Sequence, residues 1–376
     1  MSDSTPQSRR AFAHASVGAA LATLGACRID SGIVNAADAP PTTKNKIRIG
    51  TRISPAWLRS PNDGDLRFLK QIGVDALDIE LVMVKGYGET GSITRQALRE
   101  LMDRFGAVGL RIERANALGD HILNAHLGRP DGQREIDNLK RIGEVLSEAE
   151  IPVYGIQACQ ASQLVRGGRG GWSRKEGRGG YGYPAFDLAA SEAFVPQPKY
   201  RVGSDQLWKG LLNIYRQVVP VIEGSKTRIA MHGNDPPLHQ YLGSPQILCR
   251  FADFDRLFAE VPSRHNGITF CVGTRYESGE DVFAGIRHFG SQGKLFHVHF
   301  RNVRGTLPAA RHYEEVFVDD GDLNMAQVAR ALHDVGYDGV IDYDHPMTVT
   351  GDGPLPKQYI AFAVGYMRGI LNSLDG

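Results

Sequence analysis

The sequence lacks an excess of charge of either sign. Lysine and arginine together number 43 of the 376 residues, and aspartate and glutamate together number 42. Because these numbers nearly cancel, there is no basic surplus of the kind that binds a nucleic-acid backbone, and we expect no nucleic-acid partner. With 42% hydrophobic and 23% charged residues, the chain can bury a full globular core. We therefore expect a small-molecule partner.

Spaced cysteine pairs, long apolar runs and glycine-rich phosphate loops are also missing. Beyond the N-terminal segment, no apolar run approaches the roughly 18 residues that span a bilayer. No predicted strand leads into a glycine-rich turn that opens a helix, which argues against a dinucleotide-binding sheet. The cysteines predict no disulfide framework; they are Cys27, Cys159, Cys249 and Cys271.

The N-terminal residues are typical of an export signal. Residues 8–16, SRRAFAHAS, form a twin-arginine pattern, and residues 17–26 form an apolar segment too short to span a membrane. The string LGAC resembles a lipobox that would leave Cys27 lipidated, whereas the small-x-small site at 37–39 would release a soluble protein. We therefore expect residues 1–39 to be signal and linker, and the protein to be periplasmic or lipid-anchored. A disordered cytosolic tail is the alternative.

Residues 40–376 alternate short, β-branched apolar runs with longer segments of helical periodicity, eight of each. The predicted strands begin near residues 47, 74, 109, 151, 227, 267, 295 and 339. Repeated βα units with right-handed crossovers require a parallel sheet, and eight of them close into a barrel. The sequence thus predicts a single-domain (β/α)8 TIM barrel, with an open doubly wound sheet as the alternative.

One long insertion follows the fourth predicted strand, at about residues 160–203. It is too long and too rich in glycine and arginine for a simple βα connection. Loops after barrel strands lie over the catalytic face. We interpret the insertion as a mobile lid whose arginines and aromatic residues meet an anionic substrate; the alternative is a surface insertion without a role.

The segment 295–303, LFHVHFRNV, separates two chemistries by strict alternation. The residues predicted on one face are Leu295, His297, His299 and Arg301, and those on the other are Phe296, Val298 and Phe300. The first face is suited to chemistry and the second to packing.

Four consecutive predicted strands carry a possible metal ligand at their C-terminal ends: His232, Cys271, His299 and Asp344. In a barrel these ends converge on one rim. Two imidazoles, a thiolate and a carboxylate suit Mn2+, Fe2+, Co2+ or Zn2+ better than Mg2+ or Ca2+. A catalytic site of this kind keeps coordination positions open for substrate oxygens.

Four motifs carry a resemblance to a known family: MHGNDPP at 231–237, FCVGT at 270–274, HFRNV at 299–303 and the Asp-His pair at 344–345. With them, the half-barrel 227–346 resembles the mannonate dehydratases, in the xylose-isomerase-like group of TIM barrels. The resemblance implies that the four strand-end residues bind Mn2+.

The resemblance also implies roles for individual residues. It selects His299 over His297 as the ligand from the seventh strand. Implied substrate contacts are Arg301, Asn302, Asp235 and, in the WSR motif of the insertion, Arg174. Implied acid-base residues are His345 and Tyr359, the latter being the nearest match to a catalytic tyrosine of the family. Alternatively, His345 supports its neighbouring ligand from behind, and Arg301 forms an internal salt bridge with Asp342 or Glu80.

The implied reaction is the dehydration of a sugar acid, D-mannonate, to 2-keto-3-deoxygluconate. One alternative is a metal-dependent isomerase or epimerase of sugars on the same barrel, which would not need a group to bind a carboxylate. Another is an exported sugar-acid binding protein without catalysis. The sequence leaves open whether the protein forms a homo-oligomer.

Overall fold

A computed structural model of the protein describes residues 45–117, 119–166 and 170–375. In it, eight parallel strands close into a barrel in the order β1-β8-β7-β6-β5-β4-β3-β2. The predicted (β/α)8 barrel is confirmed. The predicted signal at 1–39, including Cys27, lies outside the described residues. The strands are β1 Arg48–Arg52, β2 Ala76–Glu80, β3 Arg111–Ala117, β4 Val153–Ile156, β5 Arg228–Met231, β6 Asn266–Cys271, β7 Leu295–His299 and β8 Val340–Asp342.

One long helix follows each barrel strand and covers the outside of the barrel. These helices are α1 Gly64–Gln71, α2 Arg95–Gly106, α3 Gly132–Glu148, α4 Ser204–Ile222, α5 Phe251–Glu260, α6 Val282–Ser291, α7 Met325–Asp334 and α8 Lys357–Asn372. Side-chain caps fix several of their first turns. Thr94, for example, accepts a hydrogen bond from the amide of Ala97 at the start of α2. None of the helices described is long and apolar enough to cross a membrane.

Strand β7 departs from strict alternation. All five of its residues are buried, because side chains fill the barrel on one face and helices cover the other. Its register against β6 shifts between Ile268 and Thr269. Phe296 packs with Val153 and with Ala230, which shares a face of β5 with His232. The prediction that Phe296 faces away from the histidines is therefore wrong, because the shift breaks the two-residue period.

The insertion after β4 folds into ordered strands. Its segments Trp172–Glu176 and Gly182–Asp187 form an antiparallel pair. The second of them also pairs with His312–Glu315, which in turn pairs with Val303–Arg304. Two insertions, after β4 and after β7, thus build one four-stranded sheet. The sequence indicated only the first insertion, and its mobility stays a prediction.

Candidate metal centre

The structure brings the four predicted ligands together at the C-terminal rim of the barrel. His232 directly follows β5, Cys271 and His299 end β6 and β7, and Asp344 lies two residues beyond β8. One donor atom from each of the four lies within 4.8 Å of those of the other three. The ring centroids of His232 and His299 are 4.9 Å apart. The convergence follows from the barrel, because parallel strands end at one rim.

Local contacts hold these side chains in place. His232 donates from Nδ1 to the carbonyl of Gly233 at 2.7 Å, which leaves Nε2 as the nitrogen with a free lone pair. The Cys271 sulfur accepts a hydrogen bond from the amide of Thr274 at 3.5 Å. Asp344 has a left-handed backbone conformation (φ +57°), and its amide donates to Oδ1 of Asp342 at 2.9 Å.

The protonation states of the four side chains fit a metal site. Burial lowers the pKa of His299 and lowers that of His232 further, which favours the neutral imidazoles that bind metals. Burial opposes ionisation of Asp344, but His299 and His345 bring its pKa well below its usual range. Burial raises the pKa of the Cys271 thiol to about 12, so that a cation is needed to stabilise the thiolate. This donor set suits a first-row divalent ion.

A cavity of about 360 Å³ opens beside this group. Five of the predicted site residues line it: His232, His299, Asp344, His345 and Asp235. The lining also includes Arg52, Arg114, Gln157, Gln160 and Tyr241, which the sequence did not indicate. Arg52 ends β1, and Gln157 directly follows β4. A polar residue at the C-terminal end of a predicted strand could therefore have indicated both as site residues. The resemblance to the family covered only residues 227–346, so it did not include Arg52, Arg114, Gln157 or Gln160.

His345 lies at the edge of this cavity between two carboxylates. Its Nδ1 donates to Oε2 of Glu315 at 2.9 Å, and its Nε2 is 3.3 Å from Oδ2 of Asp344. Burial alone would lower the pKa of His345, but Asp344 and Glu315 raise it to about 9. Glu315 ends the strand His312–Glu315 of the insertion after β7, and no sequence motif linked it to the site.

Arg301 is not among the residues that line the cavity. Its side chain is 3% exposed, and its guanidinium lies 2.5 Å from Glu277, 2.9 Å from Asp235, 3.4 Å from Asp344 and 3.7 Å from Glu315. These carboxylates surround the guanidinium, and the expected substrate role of Arg301 stays a prediction. The alternative of an internal salt bridge describes the contacts, although its partners are neither Asp342 nor Glu80.

Three further predicted residues are not brought to the cavity. Asn302 is buried and its amide donates to the carbonyls of Val318 and Leu323, so it fixes the loop after β7. Tyr359 is 2% exposed and packs against Phe317 and Tyr343. Arg174 is exposed on the strand Trp172–Glu176 and does not line the cavity. Short motifs identified these residues without specifying the direction of each side chain.

A second group of possible ligands lies among the buried barrel side chains: Asp78, His297, His299 and Asp342. Several of their polar atoms contact one another or neighbouring side chains. Arg114 donates to Asp78 at 2.7 Å, and His297 Nε2 is 2.8 Å from Oδ2 of Asp342. This layer is a hydrogen-bonded support beneath the candidate metal centre.

Comparison with known proteins agrees with the motifs. The model of the D-mannonate dehydratase (UxuA) family matches residues 196–376. Over these residues the chain is similar to the mannonate dehydratases. Mannonate dehydratase 2 of Halalkalibacterium halodurans is 26% identical over 348 residues, which cover 86% of this chain and 99% of that protein. The mannonate dehydratase of Thermotoga maritima is 29% identical over 318 residues, covering 74% of this chain and 86% of that protein.

Solved structures extend the likeness to the whole barrel. The mannonate dehydratase of Streptococcus suis serotype 2 superimposes with a TM-score of 0.71 at 21% identity, covering 88% of this chain and 94% of that one. The 3-keto-D-glucoside 4-epimerase of E. coli superimposes with a TM-score of 0.55 at 15% identity, covering 86% and 100%. At these identities the structural matches establish the fold, which the mannonate dehydratase family shares with sugar epimerases.

Proposed function

We propose that this protein is a metal-dependent hydro-lyase that dehydrates D-mannonate to 2-keto-3-deoxygluconate. The observation that carries the proposal is the convergence of His232, Cys271, His299 and Asp344 beside a cavity that His345 also lines. The matching family model and the similar proteins are mannonate dehydratases, which supports the same reaction. The chemistry requires one group to take the C2 proton and another to protonate the C3 hydroxyl as it leaves.

The four rim residues would hold one divalent ion, with Mn2+ as our first candidate and Fe2+, Co2+ or Zn2+ as the others. When bound, the ion supplies Lewis-acid stabilisation of the negative charge that develops on the substrate carboxylate. The chain contributes two neutral imidazoles and one carboxylate that is already ionised. Only Cys271 has to lose a proton when the ion binds.

His345 is our candidate for the acid that protonates the departing C3 hydroxyl. Glu315 accepts the Nδ1 proton at 2.9 Å, so the ring is oriented with its Nε2 edge toward Asp344. The two carboxylates favour the protonated ring, which is the form that an acid requires. Loss of the Nε2 proton to the hydroxyl releases it as water.

Asp235 is our candidate for the base that takes the C2 proton. It lines the cavity, and burial raises the pKa of its carboxyl group, which makes the carboxylate a stronger base. Arg301 and Tyr313 each contact one of its oxygens at 2.9 Å. Each oxygen keeps a second lone pair that can accept the proton. The resulting enol then becomes the 2-keto product.

The reaction is tested with protein loaded separately with each candidate metal. D-mannonate, other aldonates, uronates and free keto sugars are supplied, and 2-keto-3-deoxy acids and isomerised sugars are both measured. We expect the 2-keto-3-deoxy acid from D-mannonate and no isomerised sugar. Isomer formation without dehydration would support the isomerase or epimerase alternative, and tight binding without turnover would support a binding protein.

We also propose that the protein is exported through its twin-arginine signal. The support is the Arg9-Arg10 pair followed by a short apolar segment and two processing sites, one of which would lipidate Cys27. N-terminal sequencing of the protein from its native cells tests this. We expect a start at Cys27 or near Pro40, and an intact N-terminus on cytosolic protein would exclude export.

A further inference from the structure

We propose that Arg52 binds the carboxylate of the sugar-acid substrate and so selects acids over neutral sugars. This inference rests on the proposed function, because it assumes that an acid enters the cavity. Arg52 is the last residue of β1, which pairs with β8 on one side and β2 on the other. It therefore stands on the same rim as the candidate metal centre, and it lines the same cavity.

Three arginines surround the site in the described part of the chain, and their exposure separates them. The side chain of Arg301 is 3% exposed and that of Arg114 is 1% exposed, whereas that of Arg52 is 28% exposed. Arg301 is surrounded by carboxylates, and Arg114 donates to Asp78 at 2.7 Å. Arg52 and Arg114 both line the cavity, and of the three guanidinium groups that of Arg52 is the most exposed and therefore the most accessible to a ligand.

The hydrogen bonds of Arg52 leave room for a ligand. Among the residues that the structure describes, its guanidinium makes one hydrogen bond, from Nη1 to Oδ1 of Asp344 at 3.2 Å. Oε1 of Glu80 lies 3.6 Å from Nη2, which is too long for a direct hydrogen bond. A guanidinium has five N–H donors in a planar fork that matches the two oxygens of a carboxylate. Most of those donors remain for a ligand.

The position of Arg52 also suits the reaction. Its contact with Asp344 places the guanidinium next to the proposed ligands, and His345 follows Asp344 in sequence and also lines the cavity. The carboxylate carbon of an aldonate is bonded to C2, from which the proton leaves. A carboxylate held by Arg52 therefore keeps C2 close to the groups that must act on it. A neutral sugar has no group that would use this contact.

Equilibrium binding of two matched ligands tests the inference. The acid is the 3-deoxy analogue of D-mannonate, which has no C3 hydroxyl to lose, and the neutral ligand is the corresponding 3-deoxy alditol. Calorimetry with metal-loaded protein compares the wild type with Arg52→Gln and Arg52→Lys. Arg59→Gln is the matched control, because Arg59 is exposed on the loop after β1 and does not line the cavity.

We expect Arg52→Gln to raise the Kd of the acid about ten- to hundred-fold, the range for losing a hydrogen bond to a charged group, and to leave alditol binding unchanged. Arg52→Lys should weaken acid binding less, because lysine keeps the positive charge but lacks the planar pair of N–H donors. Arg59→Gln should match the wild type. Bound metal, measured by elemental analysis, should be unchanged in all the variants.

Two results would overturn the inference. If Arg52→Gln weakens acid and alditol equally, Arg52 acts only by supporting Asp344. If acid binding is unchanged, another group binds the carboxylate. Failure of the proposed function is separate, since it would appear as a wild-type enzyme that dehydrates no aldonate. Selective loss of acid binding in Arg52→Gln would still support the carboxylate subsite in that case.

Discussion

Glu315 accepts the Nδ1 proton of His345 at 2.9 Å, so a strand inserted after β7 orients the side chain proposed to protonate the leaving group. Glu315 is buried, with its side chain 3% exposed, whereas His345 is 35% exposed toward the cavity. The buried carboxylate fixes the ring, and the accessible imidazole lines the cavity. The insertion thus contributes to the proposed active site as well as to the surrounding sheet.

Replacing Glu315 should impair turnover more than substrate binding. We expect Glu315→Gln to lower kcat by about ten-fold or more, the scale seen when a carboxylate that orients an essential histidine is lost. KM should change little, because Glu315 does not line the cavity. Glu314→Gln is the control, since the neighbouring Glu314 pairs with Lys175 and Arg304 instead. A rise in KM at constant kcat would contradict the orienting role.

Replacing Arg301 should reduce the stability of the folded protein. Its guanidinium offsets the charge of buried carboxylates, so Arg301→Met leaves them unpaired and should cost about 3–5 kcal/mol in the free energy of unfolding. Arg304→Met is the control: its side chain is 44% exposed, and its surface ion pairs should contribute less than about 1 kcal/mol. Urea unfolding measures both. A stable Arg301→Met variant with a raised KM would support Arg301 as a substrate contact.

The fold could be read from the sequence because barrel periodicity is local. Each of the eight predicted strands overlaps a strand of the barrel. The four strand-end residues could be placed together for the same reason. Arg301 and Tyr359 could not be assigned, because the direction of a side chain depends on partners distant in sequence. Glu277 and Phe317 are such partners.

The stability of the metal-free protein should depend on the protonation of His345. Because Asp344 and Glu315 raise its pKa to about 9, from about 6.5 in an unfolded chain, the folded state binds this proton more tightly. The resulting stabilisation is complete below about pH 6.5 and is lost as the pH rises through about 9. Urea unfolding in the presence of a chelator should show this loss in the wild type. The His345→Gln variant should lack this component; an equal pH dependence in both proteins would exclude the ion pairs as its source.

The insertion after β4 should become better protected when a sugar acid binds. The strand Trp172–Glu176 lies at the edge of its four-stranded sheet, whereas Gly182–Asp187 is paired on both sides. We therefore expect hydrogen exchange to slow on binding mainly in the edge strand, whose residue Trp172 lines the cavity. Helix α3, on the outside of the barrel, is the internal reference. Full protection of the edge strand without ligand would show that the insertion is already rigid and does not close on the substrate.

The metal assignment is tested by two substitutions in neighbouring strands. Cys271→Ser keeps the size of the side chain and removes the soft sulfur donor, so it should weaken binding of every candidate metal and abolish turnover. His297→Gln is the matched control. His297 lies in the supporting layer, where its Nε2 is 2.8 Å from Asp342, and a glutamine amide can also donate to that carboxylate.

We therefore expect metal content, measured by elemental analysis after dialysis, to fall in Cys271→Ser and to stay at the wild-type level in His297→Gln. The opposite pattern would place the ion in the buried layer formed by Asp78, His297 and Asp342. That layer lies deeper in the barrel, where Arg114 already takes up one of the carboxylates. An ion there would have to displace this guanidinium, and the proposed roles of Arg52 and His345 at the rim would then fail with the metal assignment.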